Sequence, residues 1–69
     1  MSTFESDDRL IPVREAAAIV GVSRAKIYLL LNEGKFPKPV KIGSATRFSE
    51  RECHEWVAAR IAERDRGRP

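Results

Sequence analysis

The sequence predicts a small α+β domain, mainly α, in which three short helices carry a two-stranded β-hairpin. Three observations lead there. Two apolar-periodic segments are separated by the single glycine Gly21. The stretch Phe36-Pro37-Lys38-Pro39 stops any helix and leads into two β-prone runs joined by Gly43-Ser44-Ala45. Finally, Ser49-Glu50-Arg51-Glu52 has the spacing of a capping box and opens a third apolar stripe.

The elements follow in order. Arg9-Leu10-Ile11-Pro12 reads as a short extended segment, because the residue before a proline avoids the helical region. Val13 to Val20 reads as a helix with Val13, Ala16, Ala17, Ile19 and Val20 apolar, and Gly21 ends it. Ser23 caps a second helix that runs to Glu33, with Ile27, Leu30 and Leu31 on one face and Gly34 as its stop. Val40-Lys41-Ile42 and Thr46-Arg47-Phe48 form the hairpin. The third helix starts after Ser49, and Cys53, Trp56, Val57 and Ile61 supply its stripe. Residues 1–8 are expected to be a disordered acidic N-terminus, 9–66 the folded domain and 67–69 a frayed tail, with fraying setting in from Asp65.

Length and composition bound the function. A chain of 69 residues with 42% hydrophobic side chains is one domain with a thin core. No apolar run is long enough to span a membrane, and no leader is read at the N-terminus, so a cytoplasmic protein is expected. Cys53 is the single cysteine, which excludes an internal disulfide, and its adjacent His54 is the single histidine, so no zinc site is expected. No nucleophile, base or carboxylate pair converges, so neither an enzyme nor a cofactor is expected.

The net charge is +3 and unevenly spread. Glu5, Asp7 and Asp8 make the N-terminus acidic, while residues 23–47 hold Arg24, Lys26, Lys35, Lys38, Lys41 and Arg47 against Glu33 alone. A localised basic stretch suits a polyanion, although a basic surface can also serve solubility.

Ala17, Gly21 and Ile27 have the spacing of two helices crossing steeply about a tight turn. Ala17 lets the backbones approach, Gly21 supplies a positive φ, and Ile27 fills the angle between the helices. The pattern is a helix-turn-helix, and its rival is an αα-hairpin with no nucleic-acid role. At about 100° per residue, the outward face of the second helix holds Ala25, Leu29 and Asn32. Arg24 and Tyr28 flank it on one side, and Lys26 and Glu33 on the other. Amide, guanidinium and apolar groups are what base edges accept. Leu29 is unburied by this wheel and could meet a thymine methyl, pack under the hairpin or touch a partner protein. Lys35, Lys38 and Lys41 alternate with apolar anchors, a small tip follows at Ser44, and Thr46 and Arg47 lie beyond. These are the parts of a wing, whose cations would meet phosphate. Trp56, Phe36 and Phe48 read as core, with Trp56 covering the first helix. Cys53 reads as buried and His54 as exposed.

The stretches G-V-S-R-A-K-I-Y at Gly21 to Tyr28, E-G-K-F-P-K-P-V at Glu33 to Val40 and E-W-V at Glu55 to Val57 resemble the AlpA family of phage and prophage regulators. That family is related to the excisionases and to MerR-type winged-helix domains. The resemblance spans residues 10 to about 65. It implies a winged helix-turn-helix that binds double-stranded DNA and acts as a transcriptional regulator or as an excisionase bending attachment-site DNA. Ser23, Arg24, Lys26 and Tyr28 would lie in the recognition-helix motif, and Lys38, Lys41 and Arg47 in the wing. Leu29 and Asn32 depart from relatives that are basic there, and Ser44-Ala45-Thr46 is a less basic tip. Together with the wheel, the expected DNA-binding set is Ser23, Arg24, Ala25, Lys26, Tyr28, Leu29 and Asn32, with Lys35, Lys38, Lys41, Ser44, Thr46 and Arg47 from the wing and its flank. An integrase and neighbouring copies on repeated sites are further candidate partners. No MerR-type coiled coil is read, so a monomer is expected without DNA. The rival function is a protein–protein adaptor that keeps the fold.

Overall fold

The computed structural model describes residues 8–67. Its elements are β1 (Leu10–Ile11), α1 (Val13–Val20), α2 (Arg24–Asn32), β2 (Val40–Ile42), β3 (Ala45–Ser49) and α3 (Glu50–Arg66). Three helices and an antiparallel hairpin of β2 and β3 form the expected winged helix-turn-helix frame. The hairpin gains a third strand, because the extended segment before Pro12 pairs antiparallel with β3 in the order β1-β3-β2. Helix α3 continues through Asp65 to Arg66, past the point where fraying was expected. Of the segment 1–8, only Asp8 lies within the described residues, as does only Gly67 of the tail 67–69.

Local chemistry sets the boundaries. Pro12 stands at the start of α1, where its fixed φ suits the first turn, and its carbonyl accepts from the amides of Glu15 and Ala16. Gly21 leaves α1 at φ 84°, and the amides of Gly21 and Val22 both donate to the Ala17 carbonyl. The Ser23 hydroxyl then accepts from the Lys26 amide at 3.1 Å, capping α2. That helix ends in a Schellman motif: Gly34 takes φ 72°, its amide bonds the Leu31 carbonyl, and the Lys35 amide reaches back to Leu30. In the wing, Ile42 pairs with Ala45, so the loop is only Gly43-Ser44. Gly43 has φ 61° and is the sole positive-φ residue there, as a II′ turn requires.

Ile11 and Phe48 face each other across β1 and β3, and both are 1% exposed. Around them pack Ala16, Ala17, Ile27, Leu30, Phe36 and Cys53, with Val20, Val22, Leu31 and Trp56 partly buried at the edge. Ala17, Ile27 and Cys53 are thus core residues, as their spacing predicts. Burial raises the Cys53 thiol pKa.

The start of α3 is tied to the start of the described chain. The Ser49 hydroxyl accepts from the Glu52 amide and donates to Asp8 Oδ2 at 2.6 Å, while Asp8 Oδ1 accepts from the Arg51 amide at 2.9 Å. Two side chains, one local and one distant in sequence, therefore cap this helix. The Arg9 guanidinium grips Glu50 with two hydrogen bonds of 3.2 and 3.1 Å, and the Arg9 carbonyl accepts from the Glu50 amide. The Ser49 hydroxyl and the Arg51 amide hold the Asp8 carboxyl below its usual range, and the Arg9 guanidinium does the same to Glu50.

Two predictions follow from this frame. A Cβ at Gly21 would meet nothing within 4 Å, so the penalty for a side chain is conformational rather than steric. Gly21→Ala should cost about 1–2 kcal/mol in urea unfolding, and the β-branched Gly21→Val more. Carboxyls whose pKa is depressed by folding stabilise the fold above their unfolded pKa, and this is lost as pH falls through the folded value. Thermal melting should therefore drop as pH falls below about 4, and Asp8→Ala should lower the melting temperature at neutral pH while flattening that drop.

Candidate nucleic-acid interface

Burial of Ile27 and Leu30 orients α2 and leaves its opposite face open. Arg24, Ala25, Lys26, Tyr28, Leu29 and Asn32 are all exposed, with Tyr28 at 51% and Leu29 at 47%. Leu29 is thus uncovered by the hairpin. Among the described residues, the side chains of Arg24, Lys26 and Asn32 form no hydrogen bond or ion pair, so their polar ends remain available. Ser23 is different: its hydroxyl is already engaged as the helix cap. An α-helix with its side chains is about 10–12 Å across, which a major groove about 12 Å wide admits.

The cations after α2 are held in different ways. Lys35 and Lys38 are exposed on the connector to the wing, Lys35 making only a loose 3.9 Å ion pair with Glu33. On the hairpin, Lys41 lies opposite Thr46 and its ammonium donates to the Thr46 hydroxyl at 2.8 Å. Arg47 is half-buried opposite Val40, and its guanidinium donates to the Thr46 carbonyl at 3.0 Å. Thr46 therefore serves as an organiser of two cations. Ser44 is exposed at the tip, beside Gly43.

Sequence reasoning missed what holds the connector in place. Trp56 is half-buried and its indole N–H donates to the Lys35 carbonyl at 2.7 Å. Its ring packs against Phe36 with centroids 5.2 Å apart, and Phe36 meets Phe48 edge-on at 5.8 Å. Besides packing against the core as expected, Trp56 thus clamps the segment between α2 and the wing. A lone tryptophan on a helical stripe reads as core, and nothing in its spacing names a backbone carbonyl as its partner.

Two helices joined by a three-residue turn, a short hairpin and a third helix packed behind define this chain as a winged helix-turn-helix protein with one open helix face. Comparison with known proteins carries this further. The family described as "Prophage CP4-57 regulatory protein (AlpA)" matches residues 9–61. The chain belongs to this AlpA family of phage regulatory proteins. It is also 36% identical over 63 residues to "Uncharacterized protein ORF88" of Enterobacteria phage P4, a match covering 90% of this chain and 72% of that protein. No solved structure matches.

The Trp56 clamp predicts a local effect. Trp56→Phe keeps a ring against Phe36 but removes the donor, so stability should fall by about 0.5–1.5 kcal/mol. Amide hydrogen exchange should accelerate at Lys35, whose amide bonds the Leu30 carbonyl, more than in α1.

Proposed function

We propose that this protein binds double-stranded DNA sequence-specifically and regulates a mobile element, either at a promoter or as an excisionase that bends attachment-site DNA. The observation that carries the reading is the open face of α2. It presents a guanidinium, an ammonium, an amide, a phenol and two apolar groups with no intramolecular use for the charged and amide groups. Membership in a phage regulatory family supports it.

In this reading α2 lies in the major groove. Arg24, Tyr28 and Asn32 contact base edges, Ala25 and Leu29 meet thymine methyls, and Lys26 contacts the groove wall. The Ser23 hydroxyl stays with the Lys26 amide, so its contribution is to fix the N-terminal turn of the reading helix. Lys35, Lys38, Lys41 and Arg47 neutralise phosphates, with Ser44 and Thr46 close to the sugar–phosphate backbone. Copies bind as monomers to repeated sites, where side-by-side placement raises the overall affinity. An integrase working on the same DNA is a partner of the excisionase role. No described helix is long and apolar enough to cross a membrane, and the reading places the protein in the cytoplasm with the DNA. It requires no cofactor and no catalytic step.

The test is selection of bound sequences from a random DNA pool, followed by titration of the selected site at two salt concentrations. An enriched motif bound with a steep salt slope is expected. Arg24→Ala or Tyr28→Ala should cost about 1–3 kcal/mol on that site and relax the preference. Lys41→Ala or Arg47→Ala should weaken binding to all sequences alike and reduce the salt slope by about 1. No enrichment and a flat salt dependence would instead turn the exposed Leu29 face into a protein-binding surface.

A further inference from the structure

Between the connector after α2 and the first turns of α3 lies an open groove of about 450 Å³, lined by Pro37, Lys38, Glu52, Glu55 and Trp56. Its size falls in the range of small-ligand and side-chain sites, about 300–1,000 Å³. None of the groups assigned to reading bases lines it.

Three features define what it would take. Glu52 and Glu55 are exposed, and among the described residues neither carboxylate has an ion pair. Glu33, Glu50, Glu63 and Asp65 all do. The Trp56 wall is fixed in advance by the Lys35 carbonyl and Phe36, so an occupant would meet a rigid surface and little ordering entropy would be lost. The same ring already takes a guanidinium, since Arg60 lies 5.0 Å from its centroid.

Charge excludes the obvious occupant. A phosphate would meet two carboxylates and one ammonium, so nucleic acid is repelled from this groove. Arginine fits. Its planar cation can engage both carboxylates, and its aliphatic stem can lie along the Pro37 ring and the indole.

We propose that this groove binds an extended, arginine-bearing segment of a partner protein. Any protein seated on DNA beside this chain must neutralise phosphates and so carries basic segments. That choice of partner rests on the DNA-binding reading, whereas the chemistry of the groove does not. Lys38 limits the affinity by like-charge repulsion, so the site favours a segment that places its arginine toward Glu52 and Glu55.

The test is done without DNA, and Trp56 is the only tryptophan in the chain, so its fluorescence reports on the groove alone. The probe is the capped peptide acetyl-Ala-Arg-Pro-Ala-Arg-Ala-amide, with norleucine in place of both arginines as the control. Saturable binding with a dissociation constant of about 1 mM or tighter is expected, and none with the control. The double variant Glu52→Gln/Glu55→Gln, its fold checked by circular dichroism, should weaken the peptide at least about tenfold, and Lys38→Ala should tighten it. Failure to saturate, or equal binding by the double variant, would overturn the proposal. So would self-association that the double variant abolishes, since the occupant would then be a second copy. The double variant should bind DNA at least as well as the parent. Peptide binding without any DNA binding would leave the groove standing and remove the function proposed above.

Discussion

The pairing of Ile11 with Phe48 is the contact on which the rest of the fold depends. It joins the beginning of the described chain to the return strand of the wing, and both side chains are sealed in the core. Pro12 follows Ile11 directly and launches α1, while Ser49 follows Phe48 directly and launches α3. One two-residue strand pairing therefore sets the relative position of two helices and the wing. The hydrogen bonds of Asp8 and Arg9 to the first turn of α3 reinforce the same junction from outside.

The wing is held from behind as well as by its own ladder. Phe36 sits between Phe48 and Trp56, and the indole bond to the Lys35 carbonyl fixes the point where the chain leaves α2. An aromatic row thus couples the third helix to the connector that carries Lys35 and Lys38. Trp56 of this row also lines the groove beside Glu52 and Glu55, so the connector's lysines and that groove share a single support.

Much of this was readable from local chemistry. The bounds of α1 follow from Pro12 and Gly21, and those of α2 from Ser23 and Gly34, because caps and positive-φ turns act within a few residues. The outward face of α2 was likewise legible, since a 3.6-residue period with Ile27 and Leu30 inward leaves little choice. What was not legible is non-local. Leu10–Ile11 is too short to show strand periodicity, and its partner lies at the far end of the wing. Asp8 reads as part of an acidic tail until Ser49 and Arg51 are brought to it. Trp56 announces burial but not the carbonyl it bonds. The engagement of Lys41 and Arg47 with Thr46 also depends on hairpin register, which a shift of one residue would undo.

Cys53, with no exposed surface and a thiol pushed away from ionisation, lies between α3 and the core. A thiolate is the form that attacks oxidants and disulfides, and burial here disfavours it. The same sealing makes the residue an internal clock: the rate at which a thiol reagent consumes the protein measures how often α3 lifts from the core.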